Sequence, residues 1–363
     1  MPPPLADPST LPELSTEDAD KLKKLVQDAI GPGLVLIVGS GLSVAEGVSG
    51  MTALSARLLA AVPSQLPKGQ EAAWKSIAIG LAAGRGLEEV LLAHPPTPQI
   101  EKLIVDETAG LVRTDEATVL RQVVAGARTL RLTRLLRQFP RSSDPIDIVT
   151  PNYDRLIEFA AEDAELGVDA MFLGGSLGRY DEQACGLSFL ERLQPTPRKG
   201  LRKVMAPRIR LCKPHGSLDW CMRGNKPTRI SPEFIDTPLI ITPGLNKYRH
   251  GYSVPFDRHR ERANTCIDNA TRFLVIGYGF NDDHLETHLS PAIRAGRPTM
   301  IVTHTLSPTA RQLAGTCEAV VGLEHAAGSK GTGTAVWRKS GGNFIPGAQL
   351  WNLGDLVKEV FGG

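Results

Sequence analysis

Four short segments of the chain combine small, polar and proton-transferring residues in patterns that can do chemistry. The most pointed is Lys213-Pro214-His215-Gly216-Ser217-Leu218-Asp219-Trp220, where a histidine stands between a proline and a glycine just after the apolar segment Ile209-Cys212. Histidine is the side chain whose unperturbed pKa suits proton transfer near neutrality, although a single histidine taken alone is more commonly structural or exposed. Thr150-Pro151-Asn152-Tyr153-Asp154 follows the apolar run ending at Val149. Asn152 can donate to and accept from a sugar hydroxyl, while the pattern equally suits a turn in which Asp154 caps a helix.

The other two segments are glycine turns. Gly39-Ser40-Gly41-Leu42-Ser43 follows Leu34-Val35-Leu36-Ile37-Val38, and Gly277-Tyr278-Gly279-Phe280-Asn281-Asp282 follows Phe273-Ile276. A turn of this kind, leaving a buried strand for a helix, presents backbone N–H groups and a helix dipole to a pyrophosphate. Each also reads as an ordinary strand-to-helix turn, and the first lacks the full GxGxxG spacing. His284 and His288 are spaced i, i+4, but no third ligand accompanies them, so a solvated helix face is the better reading and no metal is expected.

These segments need elements to hold them. Ser15-Thr16-Glu17-Asp18 supplies a cap and an acidic first turn for a helix carrying Leu22, Leu25, Val26, Ala29 and Ile30 at helical spacing. Gly31-Pro32-Gly33 ends it, and the unbroken apolar run Leu34-Val38 is what a strand covered on both faces requires. From about residue 52 to 140 helical patterns recur without a convincing strand, which predicts a helical module inserted into an α/β core. The core resumes at Ile146-Val149 with a helix from Asp154 to about Ala164. Further strands are expected at Ile209-Cys212, Leu239-Thr242, Phe273-Ile276 and Thr299-Thr303, and a closing helix at Leu353-Phe361. Strands alternating with helices predict a doubly wound parallel sheet, whose ligands bind beyond the carboxyl ends of the strands. The stretch from Gly328 to Gly347 is rich in glycine and shows no clear period.

Composition narrows the function classes. The chain has 363 residues, 42% of them apolar and 22% charged, which is ordinary for a globular protein. Lys plus Arg number 41 against 39 Asp plus Glu, so the basic excess expected of a protein that neutralises many backbone phosphates is missing and no direct nucleic-acid partner is expected. A local basic cluster from Arg198 to Arg210 suits a solvated loop or an interaction surface. The five cysteines form no CxxC pair, which suggests reduced thiols in the cytoplasm and neither a zinc ribbon nor a disulfide framework. No basic-then-apolar leader opens the sequence, and no run approaches the ~18 apolar residues of a membrane span. The expected organisation is a flexible tail over 1–14, an α/β domain over 15–325 and a C-terminal extension over 326–363.

Taken together and in order, VLIVGSGLS, VTPNYDRLIE, KPHGSLDW, the ITPGLNK stretch with Pro243 and Lys247, and FLVIGYGFNDDHL resemble the sirtuin superfamily, and most of all its bacterial sirtuin-like branch of NAD-consuming defence proteins. The resemblance runs from Leu34 to Leu289 and implies a Rossmann-like sirtuin core with NAD as substrate. It implies that Gly39, Ser40, Gly41, Leu42 and Ser43 contact the NAD phosphates and that Asn152 holds the nicotinamide ribose, with Thr150 beside it. His215 would act as base, Asp154 would orient the nicotinamide end or cap its helix, and the loop of Gly277, Tyr278, Gly279, Phe280, Asn281 and Asp282 would line the adenosine side.

The departures are informative. The CxxC pairs that hold the zinc module of protein-deacylating sirtuins are missing, and Gly47-Val48-Ser49-Gly50-Met51-Thr52 replaces their GIPDFR-like segment, which argues against an acyl-lysine substrate. The expected activity is therefore NAD glycohydrolysis, serving NAD depletion in anti-phage defence. The resemblance further implies a homo-oligomer, with a HerA-type ATPase or an Argonaute-like protein as possible partner. The alternatives are a module that senses NAD or ADP-ribose without consuming it, a structural subunit, and a protein deacylase.

Overall fold

The computed structural model describes residues 11–197, 200–242, 253–328 and 331–362; Pro243, Lys247 and most of the expected N-terminal tail lie outside them. The chain is a mixed α/β protein. Its strands, in chain order, are β1 (Leu34–Val38), β2 (Ile146–Val149), β3 (Gly167–Asp169), β4 (Phe172–Leu173), β5 (Leu177–Tyr180), β6 (Leu190–Pro195), β7 (Leu201–Met205) and β8 (Arg208–Cys212). Then follow β9 (Trp220–Arg223), β10 (Lys226–Ile230), β11 (Arg272–Ile276), β12 (Thr299–Val302), β13 (Val320–Gly328), β14 (Gly331–Arg338) and β15 (Gly341–Pro346).

Nine of them form one sheet in the order β15-β14-β13-β12-β11-β1-β2-β8-β3. From β3 to β13 every pairing is parallel, and β14 and β15 extend the far edge antiparallel. Smaller antiparallel sheets of four strands (β4-β5-β10-β9) and two strands (β6-β7) stand apart from it.

β1 explains the layering. All five of its residues are buried, but they divide between two cores. Leu34, Leu36 and Val38 pack with Leu22, Leu132, Leu156 and Leu356 on one face, while Val35 and Ile37 pack with Ala263, Leu285 and Leu313 on the other. Side chains alternate across a strand, so a strand with helices on both faces must be apolar throughout, and each such buried side chain stabilises the fold by about 1.5–3 kcal/mol. The helices over Thr16–Ala29, Arg131–Leu136, Leu156–Asp163 and Leu353–Phe361 supply the first face, and those over Phe256–Asn269, Asp283–Arg294 and Pro308–Thr316 the second.

Between β1 and β2 the described chain is helical, with helices at Met51–Ala61, Glu71–Ala82, Leu87–Ala93 and Pro98–Val124. They close on a separate apolar cluster that includes Leu58, Trp74, Ile77, Val90 and Ile104. The last of these helices opens with Thr97, whose hydroxyl accepts from the Ile100 N–H, and Pro98 at its first position, where the missing N–H costs nothing.

Two expectations change. Leu239-Thr242 is not a strand: its ladder is a single bridge between Gly216 and Ile240, because the Ile240 N–H turns to Pro238 O. The Gly-rich stretch from Gly328 to Gly347 instead carries the whole of β14 and β15, which complete one edge of the main sheet.

The topology also locates a crevice. From β1 the chain moves to β2 and β8 on one side, and it later crosses to β11 and β12 on the other. The loops that leave β1 and β11 therefore lie at the switch point where doubly wound sheets bind ligands.

Candidate active site

The turns after β1, β2, β8 and β11 converge on one cavity of about 390 Å³. Asn152, His215, Asp154 and Ser43 all line it, so residues widely separated in the sequence meet at one place. The opposite wall comes from the helical segment, with Met51, Leu54, Leu87 and Leu111. Its volume and largely apolar lining with a few convergent polar groups suit a small-molecule site. A second cavity, of about 510 Å³, lies at the β3 edge of the sheet and shares no lining residue with the first. Its Arg258 and Arg262 are already paired with Glu182 and Asp169.

Asn152 is held rigidly. It is 7% exposed, and its Nδ2 donates to Gly39 O (3.0 Å) and to Ser43 Oγ (2.9 Å). Ser43 Oγ in turn donates to Asp154 Oδ2 at 2.7 Å. Both amide protons are thus spent on the protein, and the side chain's remaining hydrogen-bonding atom is the amide oxygen, an acceptor. Asp154 Oδ1 also accepts from the Leu156 N–H at 3.2 Å, so this carboxylate both serves the following helix and braces Asn152 through Ser43.

His215 is nearly buried, and its Nε2 lies 2.7 Å from Asp282 Oδ2. Its position follows from local backbone. Gly216 has φ +86°, and a Cβ there would fall 2.0 Å from Leu239 O, so only glycine lets the chain turn at this point. The His215 carbonyl accepts from the Ile241 N–H at 2.9 Å.

The glycines of the two turns allow a close approach of main chain to main chain. A Cβ on Gly39 would meet Gly277 O and Tyr278 Cα at 2.4 Å, and one on Gly41 would meet Gly277 Cα at 2.8 Å. The missing side chains let the β1 and β11 loops pack on each other. Gly39 N–H donates to Ile276 O and Gly41 N–H to Gly277 O, each at 2.9 Å, so those two donors are committed within the protein.

Of the remaining residues expected at the site, Ser40, Tyr278, Gly279, Asn281 and Asp282 line the cavity. Leu42 and Phe280 are buried in the two cores on opposite faces of the sheet. Thr150 is fully buried and accepts from the Asn152 N–H at 3.1 Å. Tyr278 contributes its edge but turns its hydroxyl to Glu286 at 3.1 Å. His288 pairs with Asp268 at 2.9 Å, and among the described residues no group of three or more His, Cys, Asp or Glu could hold a metal.

Three features escaped the sequence reading. Glu88, from the helical segment, lines the cavity; burial, and after it the carboxylates of Asp282 and Glu88, push the Tyr153 phenol well above its usual pKa. Among the described residues, the charged side chains of the lining are the carboxylates Glu88, Asp154 and Asp282. The third is Lys213, fully buried just behind the site. Its ammonium donates to Asp154 O, Glu158 and Ser217. A buried lysine is rare enough that nothing in its sequence position signals it beyond its place at a strand end beside His215.

No curated protein matches the chain. Among solved structures it is similar to one of a Sir2 enzyme, concerned with the mechanism and regulation of that class, at 12% identity and TM-score 0.40, over 95% of this chain and 98% of that one. A Sir2 protein bound to a propionylated peptide aligns at 13% identity and TM-score 0.39, over 79% of this chain and 88% of that one. A complex of a Sir2 homologue with NAD aligns at 12% and 0.33, over 82% and 86%. Residues 147–316 match the SIR2-like domain family, a span that holds Asn152, Asp154, His215 and the Gly277–Asp282 loop.

Proposed function

We propose that this chain hydrolyses the bond between nicotinamide and ribose in NAD, with Asn152 and His215 as the catalytic residues. The observation that carries the reading is their meeting in one cavity at the carboxyl ends of the parallel strands.

In NAD the leaving group is a pyridinium that departs as neutral nicotinamide, so it needs no proton. The barrier lies in the positive charge that develops on the ribose. Fixed negative charge and oriented dipoles aimed at that charge lower the barrier without reorganising, and the Asp154 carboxylate in the lining supplies the first. The free amide oxygen of Asn152 accepts from a ribose hydroxyl, an interaction that strengthens as the sugar becomes cationic. The C–N bond breaks with its electron pair on the ring nitrogen, water adds to the sugar carbon, and His215 takes the water's proton. The products are nicotinamide, ADP-ribose and a proton. The Ser40 hydroxyl and the Asn281 amide in the lining are neutral donors for the pyrophosphate.

The resemblance to sirtuin-like defence proteins supports a role in NAD depletion by a cytoplasmic homo-oligomer, with a HerA-type ATPase or an Argonaute-like protein as partner. Co-purification with neighbouring gene products tests the assembly. Incubation with NAD followed by chromatography tests the activity: free nicotinamide and ADP-ribose are expected, whereas bound but intact NAD would identify a sensor. A requirement for an acylated peptide would identify a deacylase.

A further inference from the structure

We infer that Asp282 is the positioning residue for His215: its carboxylate holds the imidazole in the Nε2–H tautomer and leaves Nδ1 as the nitrogen that accepts the proton. What the base does rests on the glycohydrolase reading above; which nitrogen is free rests on the geometry alone.

The two oxygens of Asp282 are divided between two tasks. Oδ1 caps the helix Asp283–Arg294, accepting from the N–H groups of His284 (3.0 Å) and Leu285 (3.3 Å). Oδ2 lies 2.7 Å from His215 Nε2, off the axis of an aligned hydrogen bond, and among the described residues neither buried atom has another hydrogen-bond partner. The cap anchors the carboxylate to a helix end, and Asp282 is only 6% exposed, so the second oxygen has a fixed direction. An ionised carboxylate can only accept. At 2.7 Å an Nε2 lone pair would be repelled by that oxygen, so Nε2 carries the hydrogen, and in a neutral imidazole the lone pair falls to Nδ1. Among the described residues no hydrogen bond to His215 Nδ1 is present, so that atom is left for a substrate or water.

The division of labour makes the two roles separable. Asparagine caps a helix about as well as aspartate, and in Asp282→Asn only the amide oxygen can accept from the His284 and Leu285 N–H groups. The amide nitrogen must then face His215. It donates to Nε2, which has to become the acceptor, and the ring proton moves to Nδ1. The base is thereby masked while the helix cap persists. A carboxylate-to-amide change beside a catalytic histidine in another enzyme class costs about 10⁴-fold in turnover for this reason.

The test is long-range proton–nitrogen NMR of the full chain labelled at histidine nitrogen, with the His215 signals assigned by their loss in His215→Gln, alongside steady-state NAD cleavage. At neutral pH the wild type is expected to show the Nε2–H tautomer. Asp282→Asn should show Nδ1–H, with kcat lowered by about 10²–10⁴-fold, KM near the wild-type value and an unchanged melting temperature. Asp282→Ala, which loses the cap as well, should also melt lower. A wild-type ring that is Nδ1–H or doubly protonated, or an Asp282→Asn protein with the wild-type tautomer, overturns the inference. A wild type that cleaves no NAD refutes the glycohydrolase reading instead, and the tautomer comparison still decides the positioning claim.

Discussion

The ammonium of Lys213 lies 2.6 Å from the main-chain carbonyl of Asp154, with its side chain only 1% exposed. That contact ties the loop after β2 to the loop after β8, and so ties Asn152 to His215. Ser217 Oγ and Glu158 Oε1, each 2.9 Å away, and Tyr153 O at 3.5 Å also accept from the ammonium. The Leu218 N–H adds a bond to Tyr153 O at 3.0 Å.

Lys213→Met should therefore destabilise the protein severely. Removing one member of a buried ion pair costs about 3–5 kcal/mol because the other charge is left without a partner. Burial already pushes the Glu158 carboxyl up in pKa, and Lys213 opposes that shift. Adding Glu158→Gln to Lys213→Met should recover part of the loss. Urea unfolding of the three variants measures this, and a double variant no more stable than the single one would count against the pairing.

Gly39→Ala tests the contact between the β1 and β11 loops. Gly39 has an ordinary φ of −100°, so the penalty comes from crowding: the new Cβ meets main-chain atoms at 2.4 Å, which cannot swing aside. Overpacking of this kind costs about 1–3 kcal/mol. Because Gly39 O also accepts from Asn152, NAD cleavage should fall in parallel. Ser40→Ala, at an exposed neighbouring position, should change stability by no more than about 0.5 kcal/mol; denaturant midpoints compare the two.

The sequence made the parallel centre of the fold legible through its apolar runs, and its site through glycine turns at strand ends. It was silent where other physics decides. β14 shows no alternation because five of its consecutive residues, Gly333–Trp337, are buried, and its glycines read as loop. A Cβ on Gly333 would sit 2.1 Å from Ile345 O, and one on Gly342 would sit 2.5 Å from the Trp337 ring, so close packing of the hairpin requires them. Leu239-Thr242 misled in the opposite direction, since apolar content alone does not make a ladder. The pairing of His215 with Asp282 depends on β11 folding in beside β1, which no local pattern discloses.

His259 predicts an acid-side loss of stability. Its ring is fully buried, and Nδ1 accepts from the Lys213 N–H at 3.1 Å. Burial, then the nearby Arg262 and Lys213 charges, hold its pKa well below 6.5. As pH falls through about 6.5 the unfolded chain takes up a proton that the folded one does not, so stability declines by up to about 1.4 kcal/mol per pH unit. His259→Gln should flatten that slope in denaturation curves collected between neutral and mildly acidic pH, and an unchanged slope would assign it to another group.

Asn152→Ala removes two hydrogen bonds at once, to Gly39 O and Ser43 Oγ. A net cost of about 0.5–1.5 kcal/mol for each is expected in stability. Loss of one oriented polar group at a developing charge should lower nicotinamide release by about 10²–10³-fold. Initial rates with saturating NAD measure the effect, and a rate within a few-fold of wild type would remove Asn152 from the mechanism.

The central claim is that an imidazole and an amide in one carboxylate-lined cavity cleave NAD. Its most direct test is nicotinamide release by wild type and His215→Ala, with circular dichroism showing both folded and with candidate partners present or absent. The account predicts nicotinamide and ADP-ribose in equal amounts from the wild type and a rate about 10²–10⁴-fold lower from the variant. Equal rates from the two folded proteins would contradict it.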